Sequence, residues 1–147
     1  HFHPHKLTEV EKEFKQLEDT GIIRRSSSEW ASPIHVVTKK DGSLRPCGDY
    51  RQLNSHAIHD SYPMPRITDI LHKFHGSTIF STLDLNKAYH QVSVNEQDIP
   101  QTAVITPFGL FEYMFMPFSL KNASQTLNAS WIRSSEKHLL DLLTKMT

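Results

Sequence analysis

Ile34-His35-Val36-Val37-Thr38-Lys39-Lys40-Asp41-Gly42-Ser43-Leu44-Arg45-Pro46-Cys47-Gly48-Asp49-Tyr50 is the stretch on which the fold turns. Residues 34–37 form a short apolar strand, and residues 44–50 can pair back on it. Between them Asp41-Gly42 is a strong hairpin signal, because the turn needs a positive φ that glycine adopts without steric cost. The hairpin carries Lys39, Lys40 and Arg45 close to its tip. These cations are either solvated, as basic turns commonly are, or a clamp for a polyphosphate, lysine as a point charge and arginine as a two-pronged fork. Asp49 and Arg51, two apart on the returning strand, share a face, and an ion pair between them is the plain reading.

Upstream, Leu7, Val10, Phe14 and Leu17 recur at helical spacing and predict an amphipathic helix over residues 6–19. Thr8 and Glu11 have the spacing of a capping box, and Gly21 is placed to end the helix in a left-handed turn. Ser26-Ser27-Ser28 and Trp30-Ala31-Ser32-Pro33 read as loop. Downstream, Tyr62-Pro63-Met64-Pro65 is extended and leads into a helix over residues 66–74, with Ile67, Ile70, Leu71 and Phe74 on its apolar face and Gly76 after it. Residues 79–85 are the best strand, with Phe80, Thr82 and Asp84 on one face. A tight helical turn follows at 86–89. Further strands are expected near 91–94 and 110–115, the second preceded by the turn Thr106-Pro107-Phe108-Gly109. From about Asn122 the pattern is helical to Met146, with Leu127, Trp131, Leu139, Leu140 and Leu143 as apolar positions. Mixed helices and hairpins favour α+β over an alternating βαβ order.

The whole sequence is 147 residues with 16 Lys+Arg against 16 Asp+Glu, so its net charge is zero. That excludes a globally basic nucleic-acid binder, but between Arg24 and Arg51 six basic residues face three acidic ones, a local stripe of +3. One cysteine, Cys47, excludes an internal disulfide framework and a multi-thiolate zinc site. No apolar run approaches the roughly 18 residues needed to span a bilayer, and no secretory signal opens the chain.

Asp84 is the most informative single residue. A carboxylate at a strand end stands at fixed height on a rigid platform, which suits a hard cation such as magnesium; the alternative is that it caps the following turn. His1, His3 and His5 are either metal ligands or a mobile chain end, and no Gly-rich phosphate loop is present.

From about Leu7 to Thr126 these pieces resemble, in order and spacing, the reverse transcriptase of gypsy-type long-terminal-repeat retrotransposons. The carriers are Gly21-Ile22-Ile23-Arg24, Trp30-Ala31-Ser32-Pro33, Lys39-Lys40-Asp41-Gly42, Arg45-Pro46-Cys47-Gly48-Asp49-Tyr50-Arg51-Gln52-Leu53-Asn54, Tyr62-Pro63-Met64-Pro65, Phe80-Ser81-Thr82-Leu83-Asp84-Leu85, Ala88-Tyr89-His90-Gln91, Thr106-Pro107-Phe108-Gly109 and Met116-Pro117-Phe118. The resemblance implies a partial right-hand polymerase: fingers at about 6–78, first palm strand and turn at 79–92, a return to the fingers at 93–118 and a palm helix at 119–147. It implies that Asp84 binds two Mg2+ ions (Mn2+ being possible), with the Leu85 backbone carbonyl helping to hold one. Tyr89 falls at the steric gate against a ribose 2′-hydroxyl, with Lys87 and Ala88 beside it. Arg45 and one of Lys39 or Lys40 grip the incoming deoxynucleoside triphosphate, Phe118 packs by its sugar, and Arg51 touches template. The partners implied are an RNA or DNA template with primer and the remainder of a polyprotein (palm, thumb, RNase H, integrase), with no membrane. The location implied is cytoplasmic, in a virus-like particle, or nuclear, and not secreted.

The sequence departs from that pattern in places. A Tyr-x-Asp-Asp hairpin is expected after Met116-Pro117-Phe118, yet no Asp-Asp pair occurs and the sequence stops at Thr147. Ser119 stands for a glycine, Ser124 for a proline and Leu127 for a phenylalanine, and the likeness is expected to fade after Thr126. A β-carbon at Ser119 is expected to crowd the nucleotide's approach. One carboxylate is too few for two metals, so these residues alone are expected not to extend a primer. The rival readings are a nucleic-acid-binding remnant without synthesis and a remnant without function.

Overall fold

Val10, Phe14 and Leu17 are all buried, on one stripe of helix α1 (Pro4–Asp19). The computed structural model that shows this describes residues 4–61, 63–64, 66–80 and 85–145. Proline fits the first helical turn, where its missing N–H has no partner to lose. The helix therefore begins at Pro4, and Thr8 and Glu11 lie inside it rather than at a capping box. Its end is as expected. Gly21 takes φ +73°, its N–H bonds the Glu18 carbonyl, and the Ile22 N–H reaches the Leu17 carbonyl, which together form a Schellman cap.

Five strands make one sheet: β1 (Ile23–Arg25), β2 (Ser32–Thr38), β3 (Leu44–Gly48), β4 (Val104–Thr106) and β5 (Gly109–Tyr113), in the order β1-β5-β4-β2-β3. β2 and β3 are the expected hairpin, with Val37 opposite Arg45 and Thr38 opposite Leu44. Gly42 is left-handed at φ +82°, and the Asp41 carboxylate accepts both the N–H and the hydroxyl of Ser43. β4 lies parallel to β2 with Ser32 opposite Val104, and antiparallel to β5. β1 and β4 went unread because three residues are too few to display a period. The core forms where α1 meets this sheet: Phe14 lies 5.4 and 5.3 Å from the rings of Phe108 and Phe111, and Ile23, Tyr50, Val104 and Tyr113 close around them.

Elsewhere the structure corrects the sequence reading. The returning strand stops at Gly48, so Asp49 and Arg51 share no strand face; Arg51 opens helix α2 (Arg51–His56). The expected strand at 79–85 is absent at Ile79, Phe80 and Leu85, which are irregular, while Ser81 to Asp84 lie outside the described residues. A strand exists by its hydrogen-bonded neighbour, and among the described residues none pairs with these three. Residues 91–94 are also not a strand. A 3₁₀ turn at Ala88–Gln91 uses the backbone there, and what remains is a bridge at Ser93–Phe115, flanked by bonds from Met116 N–H to Val92 O and from Val94 N–H to Met114 O. The helix at 66–74 is α3 (Ile67–Phe74), yet Leu71 and Phe74 on its apolar face are exposed, with Phe74 meeting Phe80 at 5.3 Å. Of the stretch 62–65, Tyr62 and Pro65 lie outside the described residues, as do His1 and His3. The last helix, α4 (Ala123–Lys145), begins where expected. No helix among the described residues is long and apolar enough to cross a membrane.

Gly48 owes its identity to space. A β-carbon built there would stand 2.6 Å from two ring carbons of Tyr50. That ring is 1% exposed and its hydroxyl donates to the Thr102 carbonyl at 2.8 Å, so it has nowhere to move. Gly48→Ala is expected to lower stability by about 1–3 kcal/mol, the usual cost of overpacking, read as a fall in the urea midpoint. An unchanged midpoint would show that the ring yields.

Candidate active site

The hairpin tip, the turn after residue 85 and the loop at 116–119 come from three separate parts of the sequence and enclose one cavity of about 400 Å³. Lys39 and Arg45 line it from the hairpin, Leu85, Lys87, Ala88 and Tyr89 from the turn, and Phe118 from the loop. Seven of the site residues read from the sequence are thus brought together. Of the two candidate lysines, Lys39 reaches the cavity, while Lys40 sits exposed in the turn and does not.

The aromatic wall is built from contacts. Tyr89 meets Phe118 edge to face at 4.9 Å, and the Arg45 guanidinium lies 4.8 Å from the centre of the Phe118 ring. The Tyr89 hydroxyl lies 3.3 Å from the Ser124 hydroxyl. The cations of Lys39, Arg45 and Lys87 line the cavity with this wall, and Glu13 is the acidic group of the lining among the described residues. A flat ring surface beside clustered cations suits a ligand with one planar part and one polyanionic part.

Two non-glycine residues have positive φ among the described residues, and both belong to this neighbourhood: Lys87 at +48° and Ser119 at +75°. Left-handed backbone costs a side-chain-bearing residue about 1–2 kcal/mol, and such strain gathers at functional sites. The family glycine that Ser119 replaces is therefore explained by backbone conformation. Ser119 itself does not line the cavity.

Ser119 instead borders a second recess of about 370 Å³ with His35, Gly48, Asp49, Tyr50, Arg51 and Asn54. Arg51, the expected template contact, lies here and not with the cations of the cavity. Its guanidinium folds back on Asp49 through bonds of 2.8 and 2.6 Å, the ion pair expected from spacing, and holds that carboxyl down to about 2. Its side chain is 89% exposed, so the pair adds little stability and leaves the arginine free to exchange partners.

Sequence reading missed His90. Its ring lies 5.6 Å from Phe118 and 6.3 Å from Tyr113, its Nδ1 is buried without a partner among the described residues, and burial, helped by the charge of Lys87, lowers its pKa. The signal was only its place after Tyr89. Asp84 lies outside the described residues, and among those described no three His, Cys, Asp or Glu stand together for a metal. The Leu85 that follows it does line the cavity.

Residues 37–134 match the family model described as reverse transcriptase (RNA-dependent DNA polymerase), which continues past Thr126. The chain is 41% identical over 120 residues to the Transposon Tf2-3 polyprotein of Schizosaccharomyces pombe, and 42% identical over 123 residues to the retrovirus-related Pol polyprotein from transposon 297 of Drosophila melanogaster. These alignments cover 82% and 80% of this chain but only 9% and 12% of the relatives. In fold it is similar to the prototype foamy virus protease-reverse transcriptase, with a TM-score of 0.77 at 18% identity over 93% of this chain and 18% of that one. The foamy viral enzyme in complex with double-stranded DNA gives the same TM-score over 90% of this chain and 28% of that one. The α+β sheet and helices are thus part of a polymerase fold, and the chain belongs to the reverse transcriptase family carried in long-terminal-repeat retrotransposon polyproteins.

Proposed function

We propose that this chain forms the fingers and first part of the palm of a gypsy-type RNA-directed DNA polymerase, and that its cavity receives the incoming deoxynucleoside triphosphate. The observation that carries this is the convergence of Lys39, Arg45, Lys87, Tyr89 and Phe118 on one cavity of about 400 Å³. Lys39, Arg45 and Lys87 hold the triphosphate, and Phe118 packs against the sugar. The Tyr89 ring, fixed by Phe118, occupies the space a ribose 2′-hydroxyl would need. Residues 6–78 are the fingers, 79–92 enter the palm, 93–118 return to the fingers and 119–147 begin the palm helix. Asp84 and the Leu85 carbonyl would hold Mg2+, or Mn2+ in its place, which when bound activates the primer 3′-hydroxyl and neutralises phosphate charge. Arg51, at the neighbouring recess, contacts a template paired to its primer, a partner supported by the double-stranded DNA bound to the foamy viral enzyme. The remaining palm, thumb, RNase H and integrase would be supplied by the polyprotein, working inside the cell in a cytoplasmic particle or the nucleus. Residues 1–147 alone are expected to bind without extending a primer, since the sequence holds no Asp-Asp pair.

Titration of the 147-residue chain with a fluorescent deoxynucleotide tests the reading. Arg45→Ala is expected to weaken binding about 10- to 100-fold, the range of a hydrogen bond to a charged group. Tyr89→Ala is expected to shrink the preference for deoxy- over ribonucleotides while leaving deoxynucleotide affinity within a few-fold. Unchanged affinity in Arg45→Ala would remove the cavity from nucleotide binding.

Template-primer affinity is expected to fall steeply with salt, as phosphate contacts require. The variant Arg51→Ala is expected to shallow that slope by about one unit for its lost contact. A slope that does not change would show that Arg51 touches no phosphate of the template.

A further inference from the structure

We propose that Asn54 is the positioning residue for the aromatic wall of the nucleotide cavity, an inference that rests on the function proposed above. Its side-chain amide bridges the loop that carries Phe118: the NH2 donates to the Ser119 carbonyl at 2.8 Å, and the oxygen accepts the Lys121 N–H at 2.9 Å. Both bonds fall just past the left-handed residue Ser119, on either side of Leu120, and Ser119 follows Phe118 directly. A serine has no intrinsic reason to stay at φ +75°, because its β-carbon disfavours that region. Two bonds from one planar amide supply the reason, and they fix the direction in which the chain leaves Phe118.

The consequence reaches the cavity through contacts already in place. Held there, the Phe118 ring meets Tyr89 at 4.9 Å and lies under Arg45 at 4.8 Å. A misplaced Phe118 would therefore disturb both the gate and a phosphate-holding cation, although Asn54 does not line that cavity. The platform is firm, since the Asn54 N–H bonds the Tyr50 carbonyl at 2.7 Å in the first turn of α2. A second amide staples the same two segments farther along. Asn122 donates to the Ile58 carbonyl at 2.7 Å and accepts the Asp60 N–H at 3.1 Å. It serves as the control, with comparable bonds in the same junction on the far side of Lys121 from Phe118.

The test is nuclear magnetic resonance of the 147-residue chain with labelled aromatic rings, joined to deoxynucleotide titration. Asn54→Ala and Asn54→Asp, the latter keeping an acceptor but losing the donor to Ser119, are both expected to lose the Tyr89–Phe118 ring contact while keeping Phe14–Phe111. Adding Ser119→Gly to either is expected to restore the contact in part, since glycine needs no holding. Asn122→Ala is expected to melt earlier with the Tyr89–Phe118 contact intact. Nucleotide affinity should fall about tenfold in the Asn54 variants, the scale of one or two lost hydrogen bonds, and recover with Ser119→Gly. A ring contact that survives both Asn54 variants, or that is lost equally in Asn122→Ala, would overturn the proposal. If the unaltered chain binds no nucleotide, the functional reading fails by itself, and the ring contact still decides the role of Asn54.

Discussion

The hydroxyl of Tyr50, buried in the core, donates to the carbonyl of Thr102, and much of the architecture hangs on that bond. The Thr102 hydroxyl in turn donates to the Ile99 carbonyl and accepts the N–H of Tyr113, at 2.6 and 2.8 Å, and the next residue, Ala103, accepts the Ser32 N–H. One buried junction thereby ties the end of β3, the start of β4, the end of β5 and the start of β2. Buried polar groups are costly unless every one is answered, and here each of these answers another. Burial also pushes the Tyr50 and Tyr113 hydroxyls well above their ordinary ionisation range, so Tyr50 remains a donor at any physiological pH. The site inherits this order, because Arg45 rides on β3 and Asn54 on the helix that begins just after Tyr50.

Where a pattern repeated, the sequence was a sufficient guide. α1 repeats its apolar positions from Leu7 to Leu17, about three turns, and ends at a glycine, and the hairpin has an Asp-Gly turn between strands long enough to alternate. β1 and β4 have three residues each, and they are strands because β5 lies between them, which is tertiary information. The strand expected to end at Asp84 shows the converse. Ser81 to Asp84 lie outside the described residues, but at Ile79 and Phe80, which stand largely exposed, no strand lies beside the chain among the described residues. Alternation states that a segment would suit a sheet; only a partner makes it one.

The site was legible to a different degree. The hairpin turn itself pointed to Lys39 and Arg45, but the rest of the cavity's residues came from a family pattern that spacing alone does not supply, since Lys87 and Phe118 carry no local mark. Geometry adds where these residues stand: Lys39 and not Lys40 lines the cavity, and Arg51 stands in a separate recess. His90 and Asn54 escaped because neither advertises itself. A lone histidine is most often a packed ring, and an asparagine early in a helix is most often a local cap. Their parts are visible only when the loop at 116–122 is seen folded against α2 and the turn at 88–91.

A net charge of zero and a strained backbone are then two aspects of one arrangement. With acidic and basic residues in balance, the chain exerts no long-range pull on a polyanion, and under the function proposed above attraction is generated within about 10 Å, the distance at which salt screens exposed charges. Three cations around one cavity achieve that only if their mounts come from distant parts of the sequence and are held close. The hairpin brings Lys39 and Arg45, and the turn brings Lys87 at the cost of a left-handed backbone. The ring of Phe118 lies between Arg45 and Tyr89 and keeps them in register, with Ser119 bearing the second strain. Both strained residues stand where a cation or its aromatic support must be aimed, and the bonds that hold Ser119 come from outside the cavity. Lining residues are left free to meet a ligand, while the energy that places them is supplied by the sheet and by α2.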